Sequence, residues 1–489
     1  MSAVTGTLPT ESESSRPANK RRWWALGLLT GANLQAFSAV TIMNVALPQT
    51  QTQLGMTAGS AQAVVTVYSL TFGTLILVGG RIADALGLRR CLIGGLVAFA
   101  LFSLLGGLAA QPAILLVSRA LQGGSAAFIA ATAIPLMSVL FPVGRGRNIA
   151  FGTLGIVMGI GTAGSFVFGG VMADLLTWRW SLLINVPLAL LTTAGIFMMI
   201  PKDKSKSNVR FDLLGAVLVS VSLGMLVFAL DRASILGWQH LGTQALLAGG
   251  VVGIALFVGS LRFAEQQLIP THLVHNGVRA AGYVAAFFAG IAMFAGMFVL
   301  TSFMQSAWDV SSVRMGLAFL PFAAGAVIVT ATLPRIRSYI GARPVLAGGL
   351  LIAAGGLASL GSLTPTSGYI GGVLPAMLLL GAGGTVVMIT AGDVATAGAG
   401  DDSGIAGALV NSSQQIGAAL GTATVGAVIH SVTKGSEVGD SEVTVATVAG
   451  YAQGGLLGAA IVAAAAIAVF VIRNWRLSQR RDGRRKNHA

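Results

Sequence analysis

R-I-A-D-A-L-G-L-R-R-C-L-I-G-G-L, residues 81–96, returns as R-I-R-S-Y-I-G-A-R-P-V-L-A-G-G-L at 335–350, an offset of 254 residues. Arg, Ile, Gly, Arg, Leu, Gly, Gly and Leu coincide between the two copies. Each copy is a short charged turn between two long apolar runs. A hydrophobic chain that repeats such a hairpin is expected to be two related helical bundles moving against each other. Parallel repeats place the pseudo-two-fold axis along the membrane normal, with a cavity between the halves near the midplane.

Composition supports the membrane setting. Of 489 residues, 54% are hydrophobic and only 9% charged, too little polar surface for a soluble protein of this length. The net charge of +14 does not point to nucleic acid, because the basic residues sit in short loops and tails beside apolar spans, where the positive-inside bias and anionic lipid account for them. The single cysteine, Cys91, excludes an intramolecular disulfide and a cysteine metal cluster. The histidines, His240, His272, His275, His430 and His488, lack metal-ligand spacing. No phosphate-binding loop is present. The reading is of a carrier rather than an enzyme, with no cofactor and no metal.

Apolar runs long enough to span a bilayer occur at about 23–47, 61–82, 91–109, 114–140, 148–173, 180–200, 212–230, 243–264, 280–304, 315–334, 344–361, 368–391, 403–429 and 449–472. That predicts an all-α polytopic membrane protein with fourteen transmembrane helices. The repeat joins spans 2 and 3 in one copy and spans 10 and 11 in the other. Two six-helix bundles, 23–200 and 276–472, are therefore expected around a linker, 201–275, that carries two extra helices. Residues 1–22 read as a disordered cytoplasmic tail and 473–489 as a basic one. Arg81, Arg89, Arg90, Arg145, Arg147, Lys202, Arg279, Arg335, Arg337 and Arg343 fall on one side, which places both termini in the cytoplasm of a plasma or inner membrane. The bias fails between spans 12 and 13, where Asp393, Asp401 and Asp402 lie without a cation.

G-R-I-A-D-A-L-G-L-R-R (80–90) resembles the loop 2–3 motif of the major facilitator superfamily, with Gly80, Asp84, Gly87, Arg89 and Arg90 in place and Ala85 and Leu88 at two usually basic positions. S-R-A-L-Q-G-G-S-A-A (118–127) is similar to the span 4 motif, with Arg119, Gln122 and Gly123. T-I-M-N-V-A-L-P (41–48), W-R-W-S-L-L-I-N-V-P (178–187), F-D-L-L-G (211–215) and N-S-S-Q-Q-I-G-A-A-L-G (411–421) resemble the fourteen-span drug:H⁺ antiporter family within it. The resemblance covers roughly residues 23–430. It implies the major facilitator fold and proton-coupled drug export. Two positions depart from the pattern: Ala39 stands where the family has a span 1 carboxylate, and Phe166 where the span 5 antiporter motif has its kinking proline.

Asp84 among arginines at the end of span 2 fits an ion-pair and helix-end latch between the bundles, built on Gly80, Gly87, Arg89 and Arg90; the other reading is a topology signal, which needs no acid there. Arg119 lies inside an apolar helix with Gln122 one turn on, and an intramembrane guanidinium is a functional candidate by default. It could contact substrate or, as the resemblance implies, modulate protonation of a nearby acid; snorkelling is the alternative. Asn33, Phe37, Thr41 and Asn44 share one face of span 1, fit either for the cavity or for interhelical bonding. Met293, Phe294, Met297 and Gln305 form a flexible stripe on span 9 that suits promiscuous ligands or plain packing. Asn411 and Gln415 share a face of span 13.

The acids Asp84, Asp174, Asp231, Glu265, Asp309 and Asp393 all fall near span ends. A cavity with Arg119 and no central carboxylate favours neutral or anionic amphiphiles over lipophilic cations. Proton coupling is left to Asp84, Asp231 and Asp393, with Arg119 as modulator. The expected function is secondary-active export of drugs, antibiotics or amphiphilic metabolites by alternating access. Its partners are a small-molecule substrate, protons and membrane lipids, with no nucleic acid, and a monomer is expected. Two alternatives stay open: a carrier for a specific metabolite or lipid with other coupling, and a non-transporting membrane scaffold or sensor.

Overall fold

A computed structural model describes residues 16–56, 58–141, 145–201, 213–237, 239–260, 271–308, 310–399, 403–433 and 440–471. The first half of the chain contains α1 (Arg16–Leu54), α2 (Ala58–Leu86), α3 (Leu88–Gly107), α4 (Pro112–Leu140), α5 (Arg145–Leu175), α6 (Trp180–Leu183) and α7 (Asn185–Met199). Then follow α8 (Leu213–Leu236), α9 (Leu241–Ser260) and the short α10 (Thr271–His275). The second half contains α11 (Gly277–Trp308), α12 (Ser312–Ala318), α13 (Leu320–Ile340), α14 (Ala342–Ser359), α15 (Leu374–Thr396), α16 (Ser403–Thr433) and α17 (Asp440–Val471). Every regular element among the described residues is helical, and ten helices are long and apolar enough to cross a membrane. The helices follow from the solvent: a bilayer core offers backbone groups no water, so each span must bond internally. The outer surface is correspondingly apolar. Only 17% of α9 is buried, and Leu191, Phe197, Leu256 and Ile467 are all more than half exposed.

Helix positions follow the apolar runs of the sequence; α17 begins at Asp440, nine residues ahead of the run expected at 449–472, and three further differences stand out. Helix α1 begins at Arg16, so residues 16–22, expected in a disordered tail, are helical; residues 1–15 lie outside the described residues, as do 202–212, 238 and 261–270 of the linker and the tail 473–489. The run at 180–200 is broken at Ile184 into α6 and α7. The span expected at 315–334 starts earlier and breaks at Phe319 between α12 and α13, with Pro321 in the first turn of α13, where its missing N–H costs nothing.

The repeat seen in the sequence has a conformational counterpart. The α2–α3 turn hinges on Gly87, at φ +100°, and the α13–α14 turn on Gly341, at φ +81°. Gly87 N–H donates to Ala83 O at 2.9 Å, and Gly341 N–H donates to Arg337 O at 2.9 Å. Both positions need the left-handed region that glycine enters without a Cβ penalty. The 254-residue offset is thus a repeat of geometry.

Two large apolar cores divide the chain. One is built from Ala25 to Ile200, the other chiefly from Leu273 to Val469. Helix α8 wedges against the seam, where Leu223 packs with Leu70 of α2 and Ala419 and Ala423 of α16. Many basic side chains gather at one end of the molecule. There Arg21 donates to Met199 O (2.9 Å), Arg89 to Phe197 O (2.9 Å) and Arg279 to Ala397 O (3.1 Å). Arg337 pairs with Asp393, which therefore has a cation after all, supplied by the preceding hairpin. Each of these contacts ties helices of one half to each other.

Contacts between the halves lie toward the opposite end. A Cβ on Gly73 of α2 would stand 2.7 Å from the Cβ of Gln415 on α16, so the helices cross backbone to backbone. Further from the basic end Gln62 Nε2 donates to Thr422 O, and the Thr66 and Thr422 hydroxyls are 3.1 Å apart. Helix α5 crosses to α12 and α13 through Phe166, whose ring stacks on Phe319 with centroids 4.4 Å apart and planes at 8°. Just over two turns beyond, Asp174 Oδ2 accepts the Val313 N–H at 2.9 Å, satisfying one of the free donors in the first turn of α12.

Candidate functional site

Arg119 sits two turns into α4, which starts at Pro112 after the extended Gln111. It is 0% exposed, so its charge must be satisfied inside the first half. Nε donates to Val64 O of α2 at 3.1 Å, and Nη1 donates to Gln122 Oε1 at 2.6 Å. Gln122 Nε2 in turn donates to Ser103 Oγ of α3 at 2.7 Å, whose hydroxyl donates to Phe99 O at 2.6 Å. The guanidinium lies 4.2 Å over the Tyr68 ring, and Tyr68 OH donates to Ala36 O of α1 at 2.6 Å. One cation therefore links four helices.

Two features of this network matter chemically. Among the described residues none of its partners is a carboxylate, and Nη2 has no hydrogen-bond partner. A buried guanidinium is costly unless paired; here a π face, worth about 2 kcal/mol when desolvated, an amide and a carbonyl share the compensation. The close fit depends on Gly123, where a Cβ would run into Tyr68 O and Thr71 Oγ1. The span 4 motif S-R-A-L-Q-G thus reads physically: Arg for the charge, Gln for the relay, Gly for the approach.

The other candidates divide. On α1, Asn33 is 4% exposed with Oδ1 unpartnered. Thr41 is buried, and Asn44 Nδ2 donates back to Val40 O at 3.1 Å. Phe37 packs edge-on against Phe72, centroids 5.1 Å apart. From the other half, Phe294 of α11 packs against the first-half core, so the Phe37 face and the α11 stripe meet the same cluster. Met297 is buried. Met293 Sδ is 3.9 Å from Gln414 Nε2, and Gln305 Nε2 lies 3.5 Å from Met315 Sδ. Gln415 is buried at the α2–α16 crossing, and Asn411 is half-buried one turn away.

Of the expected latch, Arg89 is turned into its own half, against Phe197, at 5.0 Å over that ring. Arg90 is exposed, and a Cβ on Gly80 would meet open space. The side chains of Asp84 and Asp231 lie outside the described residues.

A site that sequence reading did not single out lies between α1, α5 and α7. It is a cavity of about 350 Å³ into which Gln35, Ser38, Ser165 and Asn185 project. Gln35 Nε2 donates to Asn185 O at 2.8 Å; the Ser165 hydroxyl donates to Gly161 O at 2.6 Å, and its oxygen is 2.7 Å from Ser38 Oγ. The signal was available: Gln35 and Ser38 share a face of an apolar helix, one step round from the face that carries Asn33 and Phe37.

Comparison with known proteins places the fold. The chain belongs to the Major Facilitator Superfamily, whose family model matches residues 29–422. It is 38% identical over 456 residues to the puromycin resistance protein pur8 of Streptomyces alboniger, covering 91% of this chain and 90% of that one. It is 36% identical over 417 residues to the cephamycin export protein CmcT of Amycolatopsis lactamdurans, covering 84% and 86%. The tetracenomycin C resistance and export protein of Streptomyces glaucescens is 31% identical, covering 85% and 76%. Among solved structures, an auto-inhibited POT family peptide transporter superposes with a TM-score of 0.64 at 15% identity, covering 92% of this chain and 96% of that one; that likeness is one of fold.

Proposed function

We propose that the protein is a secondary-active carrier that exports antibiotics or related amphiphilic metabolites across the cytoplasmic membrane by alternating access. The observation that carries the reading is similarity along nearly the whole chain to proteins named for antibiotic resistance and export. In this reading the basic end faces the cytoplasm, as the positive-inside bias requires, with both termini there. The chain crosses fourteen times, α6–α7 and α12–α13 each counting as one broken span. Residues 23–200 and 276–472 form the two moving bundles, and 201–275 carries the extra pair α8–α9. The seam closed through Phe166, Asp174 and Gln62 then corresponds to a state sealed on the outside.

The cargo is a neutral or anionic amphiphile. Arg119 is a buried cation with no carboxylate among its partners in the described residues, and in a low-dielectric interior its field opposes a second cation. The Phe37 face, the α11 stripe from Met293 to Gln305, and Asn411 with Gln415 line the route between the halves. Protons drive export through Asp84, Asp231 or Asp393, with Arg119 as modulator. Expression in a drug-sensitive bacterium tests the reading: resistance to uncharged amphiphilic antibiotics rises, and it disappears when an uncoupler collapses the proton gradient. Unchanged susceptibility across a varied panel, with the protein present in the membrane, contradicts it.

A further inference from the structure

The cavity between α1, α5 and α7 is separate from the route between the halves. All its walls belong to the first half of the chain. Helices α5 and α7 both lie against α1, and the slot between them opens where Phe168 (38% exposed) and Leu188 (47% exposed) stand at the surface. Those apolar residues face the region that lipid occupies. The lining residues fall near the middle of α1 and in the adjoining stretches of α5 and α7, so the mouth lies at the depth of the hydrocarbon core.

The inner wall is polar where lipid-facing helices are not. Gln35 is 7% exposed and Ser38 8%. The Gln35 amide nitrogen is committed to Asn185 O, but among the described residues its Oε1 accepts no hydrogen bond. Ser165 Oγ lies 2.6 Å from Gly161 O and 2.7 Å from Ser38 Oγ; its one proton serves the carbonyl, so Ser38 donates to Ser165 and keeps a lone pair that can accept from a ligand. The cavity wall therefore offers two acceptors, Gln35 Oε1 and Ser38 Oγ, to a ligand that brings a donor. The lining carries no charged side chain, and about 350 Å³ lies in the range of small-molecule sites.

We propose that this slot is a binding site for an uncharged, drug-sized amphiphile bearing a hydroxyl or carboxamide, entered sideways from the membrane. The ligand's apolar body lies against Phe168 and Leu188, and its polar group meets Gln35 Oε1 and Ser38 Oγ. A bare acyl chain fills the volume but leaves both polar groups open. The site supplies the proposed exporter with cargo from the lipid phase and so rests on that reading for its role, though not for its existence.

Gly164 lines the slot, and a Cβ there meets no atom within 4 Å. A Gly164→Cys protein in lipid nanodiscs therefore reports occupancy through its rate of labelling by N-ethylmaleimide; the native Cys91 is buried, and the unsubstituted protein gives the background. Chloramphenicol, an uncharged amphiphile with hydroxyls and an amide, is expected to slow labelling about tenfold at ten times its Kd. Tetraphenylphosphonium and tetradecane are expected to leave it unchanged. Adding Ser38→Ala or Gln35→Leu should weaken the protection, and Gly164→Phe, which fills the slot without touching its hydrogen bonds, should abolish chloramphenicol binding measured directly. No protection by chloramphenicol, or equal protection by tetradecane, overturns the proposal. Protection without flux of any compound in liposomes leaves the site standing and removes the exporter reading. Flux that survives in Gly164→Phe, with no protection, removes the site alone.

Discussion

The ring of Phe166 on α5 lies face to face with Phe319 at the α12–α13 break, 4.4 Å between centroids, and Phe322 meets it edge-on at 6.2 Å. The position is one where the related antiporter motif has a proline. Here it anchors one half of the molecule to the other. Gly316 makes room for the crossing, since a Cβ there would strike the Phe166 carbonyl.

Phe166→Ala should therefore loosen this seam. An aromatic pair contributes about 0.5–1.5 kcal/mol beyond its buried area, which shifts a two-state equilibrium roughly two- to tenfold. Spin labels at the exposed positions Leu175 and Leu317 report it: the distance distribution should gain a longer component in Phe166→Ala and stay unchanged in Phe166→Tyr.

Arg119 is held by a fork, a ring and an amide relay rather than by a counter-ion. Arg119→Lys keeps the charge but loses the planar fork and the stacking, so transport should fall steeply while helix content is retained. Gln122→Leu strands Arg119 Nη1, while Ser103 keeps its bond to Phe99 O, and should cost about 1–3 kcal/mol of stability. Transport assays and thermal unfolding in detergent check the two separately.

Gly87 and Gly341 hold matching positive φ angles. Alanine at either should cost about 1–2 kcal/mol. The sites lie in different halves, so the double substitution should be additive in thermal unfolding.

The Arg337–Asp393 pair is exposed, at 34% and 50%, and its worth to stability should stay below about 1 kcal/mol. Asp393→Asn thus separates folding from coupling. Asparagine substituted one at a time at Asp84, Asp231 and Asp393 should abolish pH-gradient dependence at one or more of the three. Retention at all three removes them as proton carriers.

Ethidium and other permanent cations should be poor substrates, because no mid-helix acid balances Arg119. Saturable ethidium export by the purified protein in liposomes would contradict this.

The helices and their order were legible because apolar length is a strong, local signal, and the glycine hinges because the repeat at 81–96 and 335–350 forces one geometry twice. Pro321 and Pro187 marked the broken spans, yet the sequence alone does not say whether a proline sits in a first turn or kinks a helix. Arg119 and Gln122 were readable as a pair, whereas Tyr68 beneath them was not, since a cross-helix stack leaves no spacing in the chain. Arg89 reads in the sequence as a member of the latch cluster, whereas its contact with Phe197, 108 residues on in the chain, leaves no spacing to read. Gln35, Ser38, Ser165 and Asn185 escaped notice because each is unremarkable alone, and only the packing of α5 and α7 on α1 brings them to one cavity.

The most direct measurement is transport of an uncharged antibiotic by the purified protein in liposomes, with and without an imposed pH gradient. Saturable, gradient-dependent movement of the compound, coupled to counterflow of protons and lost in Arg119→Lys, is the predicted result. A compound panel that produces no flux in either condition, from protein that is folded and correctly inserted, would contradict the assignment as a carrier.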